Sequence, residues 1–390
     1  MPNYGTPSVT FVKGSGTELF DKDGKRYLDF LCGIAVTGLG HSHPRIANAI
    51  SEQANTLLHV SNLFITEPQL EVAATLDRLI NTGSDQSGKI LFQNSGAEAN
   101  EAAMKLARKY QGVGKHGVLS AHKSFHGRTM ATLAATGQPE KHKPFMPLPE
   151  GFKYAEWNNL ASFEGATDQT TGAILVEPIQ GEGGVNNASS DFLQGLRKLC
   201  DEKGLLLIMD EIQTGLGRTG EWFGFHHANV KPDIVTMAKG MANGVPIGAV
   251  WAKSEVADAF EPGDHGSTFA GQPLATSAAR ETLRILEEIQ APKLAKEKGQ
   301  EMVSAITNID GVDSVRGLGL LLGVEIEKEG LVKGDARDLA QDCLKEGLVL
   351  NGVTSTALRL APPLTISSEE IIEGAEILEK VLKTRKENAS

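Results

Sequence analysis

Six short apolar runs, separated by longer helix-like segments, occupy the middle of this chain and leave few folds open to it. They are KILFQ (89–93), GVLSA (117–121), AILVEP (173–178), LLLIMD (205–210), IVTMA (234–238) and GAVWA (248–252). A strand with one wet face alternates apolar and polar residues, and these runs are apolar throughout. That pattern predicts a mostly parallel sheet whose two faces are both covered by helices. Residues 97–110 and 191–203 supply helical spacing between the runs. The stretch from about 60 to 270 therefore reads as one large α/β domain.

The flanks have a different texture. TELF and KRYLDFL read as strands joined by the turn residues DKDG. After a loop at 38–44, residues 45–59 and 69–80 carry apolar side chains at helical spacing. Beyond Pro273 come helical segments (274–309), a strand-like run (314–326), a helix (335–346), two short strands around 348–360 and a charged final helix (367–386). The expected division is an N-terminal segment 1–58 and a C-terminal α+β region 276–390, forming a smaller domain around the large domain 59–275. A length of 390 residues suits such a plan.

Charge excludes some partners. With 38 Lys+Arg against 49 Asp+Glu, the formal net charge is −11. Nucleic-acid affinity rests on neutralised phosphates, so a nucleic acid is not an expected partner; nor is an anionic membrane surface. No apolar run approaches the roughly 20 residues of a membrane span. Cys32, Cys200 and Cys343 are widely spaced and odd in number, which fits thiols in a reducing compartment. A cytoplasmic enzyme or binding protein is expected.

Two motifs mislead. Gly215-Leu-Gly217-Arg-Thr-Gly220 fits a dinucleotide fingerprint, but EWFGFHH after it is a poor helix opener. His122 and His126 have the spacing of a helical zinc pair, yet lie in a stretch ill suited to a helix, so no metal site is expected.

Three other segments point to one chemistry. Asp210 ends an apolar strand, at the sheet edge where open α/β folds bind ligands. Lys239 stands just past another buried strand, where an amine with a depressed pKa serves as a Schiff-base nucleophile. Taken alone, Asp210 could be a cap and Lys239 a surface charge. Together they suit pyridoxal phosphate, which takes a lysine on its aldehyde and a carboxylate on its ring nitrogen. Asn94-Ser95-Gly96-Ala97 opens a helix after KILF, so the N–H groups of Gly96 and Ala97 could bind a phosphate, with Ser95 as cap. Thr268 is a further hydroxyl donor.

These pieces resemble a known family. GHSHP (40–44), NSGAEANEAA (94–103), SFHGRT (124–129), VEPIQGEGG (176–184), DEIQTGLGRTG (210–220), MAKGMANGVPIGA (237–249), GSTFAGQP (266–273) and LRLAPPL (358–364) follow the order found in class III aminotransferases of fold type I. The resemblance spans nearly the whole chain. It implies a large domain with a mostly parallel seven-stranded sheet flanked by helices, a smaller α+β domain, and a homodimer with its active sites at the interface.

The resemblance also implies roles. Lys239 would form the Schiff base and move protons. Asp210 would hold the ring nitrogen protonated, Phe125 would stack on the ring, and Gln213 would bond its 3-hydroxyl oxygen. Thr268 would reach the partner subunit's cofactor phosphate, and Ser267 would contact substrate. Arg359 would clamp the α-carboxylate of glutamate. Arg128 would take its distal carboxylate or the α-carboxylate of the amino donor. Glu182 would pair with Arg359 when no carboxylate is present. The stretch SNLF…EPQ (61–69) resembles the acetylornithine branch. Phe64 and Ile65 offer no hydroxyl to a free α-amine, which favours an acylated donor. The expected reaction joins N-acetylornithine and 2-oxoglutarate. Ornithine, succinylornithine, succinyl-diaminopimelate and 4-aminobutyrate transamination remain alternatives, as does a catalytically idle scaffold.

Overall fold

The computed structural model describes residues 1, 3–327 and 334–388. Its centre is a seven-stranded sheet in the order Gly88–Gln93, Gly248–Lys253, Ile234–Met237, Leu206–Asp210, Thr171–Val176, Gly117–Ala121 and Phe152–Ala155. Gly248–Lys253 runs antiparallel to both of its neighbours, and the other pairings are parallel. All six apolar runs are strands of this sheet. The seventh, Phe152–Ala155, is a four-residue edge strand whose Lys153 is exposed, too short and polar to announce itself.

Burial on both faces explains the unbroken apolar runs. Leu207 and Met209 pack in one core with Phe192, Leu196 and Leu199 of the helix Ser190–Lys203. Leu206 and Ile208 point the other way, to Ala99, Ala103 and Leu106 of the helix Gly96–Gln111. The period of two thus survives, but both of its phases are dry.

The strands Phe11–Ser15, Glu18–Asp21 and Arg26–Asp29 form an antiparallel meander. Leu348–Val349 joins it in parallel beside Arg26–Asp29, tying the C-terminal region to the N-terminal one. The run at 314–326 differs from its sequence reading. It is a hairpin of Val312–Leu318 and Leu321–Ile326, turned at Gly319. Gly319 has φ of 55°, and a Cβ there would lie 2.6 Å from the Arg218 carbonyl oxygen, so a side chain is excluded. The region around 348–360 holds three short strands rather than two: Leu348–Val349, Asn351–Gly352 and Ala357–Leu360. The misleading glycine motif forms turns in which buried Arg218 donates to the Leu320 and Pro362 carbonyls.

One segment is backbone-strained. Cys32, Gly33, Ile34 and Ala35 make a left-handed turn with φ of 53°, 61°, 73° and 61°. Each non-glycine residue there costs about 1–2 kcal/mol. Asp29 Oδ1 accepts from the Leu31 and Cys32 amides at 2.9 and 2.8 Å and braces the turn. No helix among the described residues is long and apolar enough to cross a membrane.

Candidate active site

The parallel strands deliver their C-terminal ends to one edge of the sheet. Asp210 is the last residue of its strand, and Lys239 follows Met237 by two positions. Asn94 and Ser95 leave the strand Gly88–Gln93, and Glu177 leaves Thr171–Val176. A cavity of about 430 Å³ opens there. Ser95, Gly96, Ala97, Asp210, Gln213 and Lys239 line it. Phe125, Arg128 and Glu182 line it as well.

Asp210 is almost fully buried and heavily bonded. Its Oδ2 accepts from Asn100 Nδ2 at 2.8 Å and stands 2.8 Å from His126 Nδ1. A carboxylate only accepts, so that ring nitrogen carries the proton. Oδ1 accepts from the Ile212 amide at 3.1 Å and keeps lone-pair capacity toward the cavity. Asn100 is fixed in turn by the Thr236 hydroxyl, which donates to its Oδ1 at 2.8 Å. The sequence offered His126 only as half of a zinc pair. The two histidines diverge instead: His122 is 3.8 Å from Glu156, while His126 is buried against Asp210.

Ser95 caps the helix Gly96–Gln111, accepting from the Glu98 amide at 3.2 Å. The first N–H groups of this helix have no partner one turn back and carry the positive end of its dipole. A Cβ on Gly96 would lie 2.8 Å from Ile212, so the backbone approaches closely only with glycine.

Lys239 occupies a left-handed backbone conformation, with φ of 41°. Burial, helped by the Arg359 guanidinium, pushes its amine down to about 8, and Glu182, Asp210 and Glu177 oppose the shift. The shift enlarges the neutral fraction, which is the form a nucleophile requires. Glu177 shares the cavity. Burial, with Asp210 adding to it, raises its carboxyl well above the usual range, and its one amide partner is Phe125 N at 3.3 Å.

Arg359 lies behind the cavity wall with its side chain fully buried. Its Nη1 meets Glu182 Oε1 at 2.6 Å and Gln213 Oε1 at 3.4 Å, and its Nε meets Asn351 Oδ1 at 3.3 Å. Burial raises the Glu182 carboxyl, but Arg359 outweighs it and holds the group below its ordinary value. Arg359 Nη2 and Gln213 Nε2 are buried without a partner among the described residues.

Thr268 and Ser267 stand outside the cavity of their own chain. Thr268 is exposed, and Ser267 Oγ accepts from Asn94 Nδ2 at 2.7 Å. The loop 61–66 does not line the cavity either; Phe64 and Ile65 are 64% and 76% exposed.

The chain matches the aminotransferase class-III family over residues 2–382. It is 45% identical to an acetylornithine aminotransferase of Methanocaldococcus jannaschii, over 94% of this chain and 92% of that one. It is also 45% identical to one from Aquifex aeolicus, over 98% and 99% of the two chains. Among solved structures, the ornithine aminotransferase of Toxoplasma gondii superimposes with a TM-score of 0.92 at 32% identity, covering 100% of this chain and 93% of that one. The N-acetylornithine aminotransferase of Stenotrophomonas maltophilia gives a TM-score of 0.84 at 33% identity, covering 98% and 97%. With strand ends, cavity and full-length similarity in agreement, the chain belongs to the class III aminotransferases.

Proposed function

We propose that the chain transfers the δ-amino group of N2-acetyl-L-ornithine to 2-oxoglutarate, giving N-acetyl-L-glutamate 5-semialdehyde and L-glutamate, a step of arginine biosynthesis. The cofactor is pyridoxal phosphate, and the site has the chemistry to hold it. It offers an amine whose pKa is lowered by burial, a carboxylate with a free lone pair, a Gln213 Nε2 without a partner among the described residues, and a helix N-terminus. When bound, the cofactor supplies an electron sink for the pair left as the substrate loses a proton. Asp210 keeps the ring nitrogen protonated, and His126 and Asn100 hold its carboxylate still. Phe125 would offer its face to the cofactor ring. Gln213 donates to the ring oxygen. The helix N-terminus at Gly96 and Ala97 takes the phosphate. Lys239 Nζ would hold the cofactor through its aldehyde and would carry the proton released by the substrate carbon that bears the amine.

The observation that carries the two-substrate reading is the 2.6 Å pair between Arg359 and Glu182, with Arg359 Nη2 left unpartnered beside it. An α-amino acid brings a carboxylate that takes Arg359 from Glu182. A δ-amine brings none there, and the pair stays closed while Arg128 holds the remote carboxylate. Arg359→Ala should slow the glutamate half-reaction about 100-fold and the acetylornithine half-reaction less than about tenfold. Single-turnover spectra of each half-reaction check this, and equal losses refute the gate.

The active form is a cytoplasmic homodimer. Its support is an apolar surface of Leu57, Leu58, Leu63, Phe64, Ile65 and Phe269, all exposed on the single chain. His59 and Phe269 lie 5.4 Å apart and knit the two segments together. Thr268, on the same exposed stretch, reaches the partner subunit's cofactor phosphate, and Ser267 adds a polar contact near substrate. Residues 1–58 and 276–390 form the smaller domain about the large one, 59–275.

A substrate panel tests the reaction. kcat/KM for acetylornithine should exceed that for ornithine by about 100-fold or more, as a site for an acylated amine requires. A preference for ornithine would reassign the chain within its class.

A further inference from the structure

Two cations without an ion-pair partner among the described residues face one ring that lines the active-site cavity. Phe125 lines the cavity, with Arg128 Cζ 5.4 Å and Lys141 Nζ 5.3 Å from its ring centroid. Neither side chain has a carboxylate within ion-pair distance among the described residues, although acids lie close in sequence. Glu140 turns away to Lys143 at 2.8 Å. Glu101 accepts from the Thr129 hydroxyl at 2.5 Å. Glu182, whose charge reaches Lys141, is engaged by Arg359.

The backbone carrying Lys141 is anchored, so the half-buried side chain is placed rather than trailing. It sits in the short helix Pro139–His142. Gln138 Nε2 donates to the Ser124 carbonyl at 2.8 Å, and His142 Nε2 meets the Thr136 carbonyl at 2.6 Å. Burial, then the Arg128 charge, lowers the Lys141 amine from its ordinary value. Two like charges held near one apolar ring repel each other, and a carboxylate between them removes that cost.

We propose that Lys141 and Arg128 together form a two-cation seat for the substrate carboxylate remote from the reacting amine, which makes Lys141 a specificity residue for amino acids over amines that lack a carboxylate. This rests on the reading that Arg128 receives that carboxylate. Both half-reactions present one there, so Lys141 serves donor and acceptor alike. Arg128 supplies a flat fork, and Lys141 adds a compact point charge beside it.

The test uses the holoenzyme and glutarate, a dicarboxylate that cannot transaminate, titrated by calorimetry. Lys141→Met should weaken glutarate binding about tenfold, and Lys141→Arg should stay within about threefold of wild type. The kcat/KM preference for 5-aminopentanoate over pentylamine, which lacks the carboxylate, should fall about tenfold in Lys141→Met. Equal glutarate affinity in wild type and Lys141→Met would overturn the proposal. So would equal losses toward 5-aminopentanoate and pentylamine, since that marks Lys141 as a prop for Phe125. The two readings fail separately. Loss of glutarate affinity in an enzyme that ignores acetylornithine keeps the seat and removes the proposed reaction. Turnover of acetylornithine with glutarate affinity untouched does the reverse.

Discussion

Replacing Lys239 with alanine is expected to cut transamination by at least about 10⁴-fold while leaving the fold in place. Two functions disappear with one amine, covalent attachment and proton transfer. Neither carboxyl neighbour replaces the amine: burial raises the Glu177 carboxyl well above the usual range and makes it a poor base, and Glu182 is engaged by Arg359. The purified wild type should show the visible absorption of bound pyridoxal phosphate, and Lys239→Ala should lose it. Far-ultraviolet circular dichroism of the variant should match wild type, because the Lys239 side chain makes no hydrogen bond to the sheet among the described residues. A small primary amine diffusing into the vacated space should restore part of the rate. A variant that kept more than about a hundredth of the wild-type rate would remove Lys239 from the chemistry.

Asp210→Asn is the second large effect, with an expected loss of about 10³-fold in kcat/KM. The substitution keeps the shape and removes the charge that keeps the ring nitrogen protonated. It also damages the network behind it. Asn100 Nδ2 and His126 Nδ1 both address one oxygen of Asp210. An amide nitrogen placed there would face two donors. The amide will instead turn its oxygen to them and its nitrogen to the Ile212 amide, leaving one buried donor unsatisfied. That costs about 1–3 kcal/mol, so thermal unfolding should shift down together with activity. His126→Ala separates the terms: it leaves the carboxylate and removes one support, and its activity loss should be the smaller. A rate loss below about tenfold in Asp210→Asn would show that the charge is not used.

The large sheet was legible because its strands are dry on both faces, and six of seven announced themselves as unbroken apolar runs. Phe152–Ala155 did not, because its exposed Lys153 breaks the apolar run. The 314–326 run hid a hairpin because Gly319 supplies a turn without any polar residue to mark it. At the site, residues on strand ends were readable: Asp210 and Lys239 each terminate an apolar run. His126 and Lys141 were not, because their meaning lies in what faces them. His126 meets Asp210 across 84 positions of chain, and Lys141 reaches Phe125 only once a loop and a short helix have folded back. Arg359 was readable through its motif, but its unpartnered nitrogen is visible only in three dimensions.

The backbone of Lys239 carries a lesson about selection. Its left-handed φ of 41° is a conformation suited to glycine or asparagine, and its amine is held below the value it prefers in water. Both features work against folding and both serve reactivity. Any search for thermostable variants that scores folding alone will therefore rank replacements at position 239 among its favourites, and every one of them will be inactive. The position marks where this sequence stands away from its stability optimum, and it is a place an engineer should hold fixed before optimising anything else.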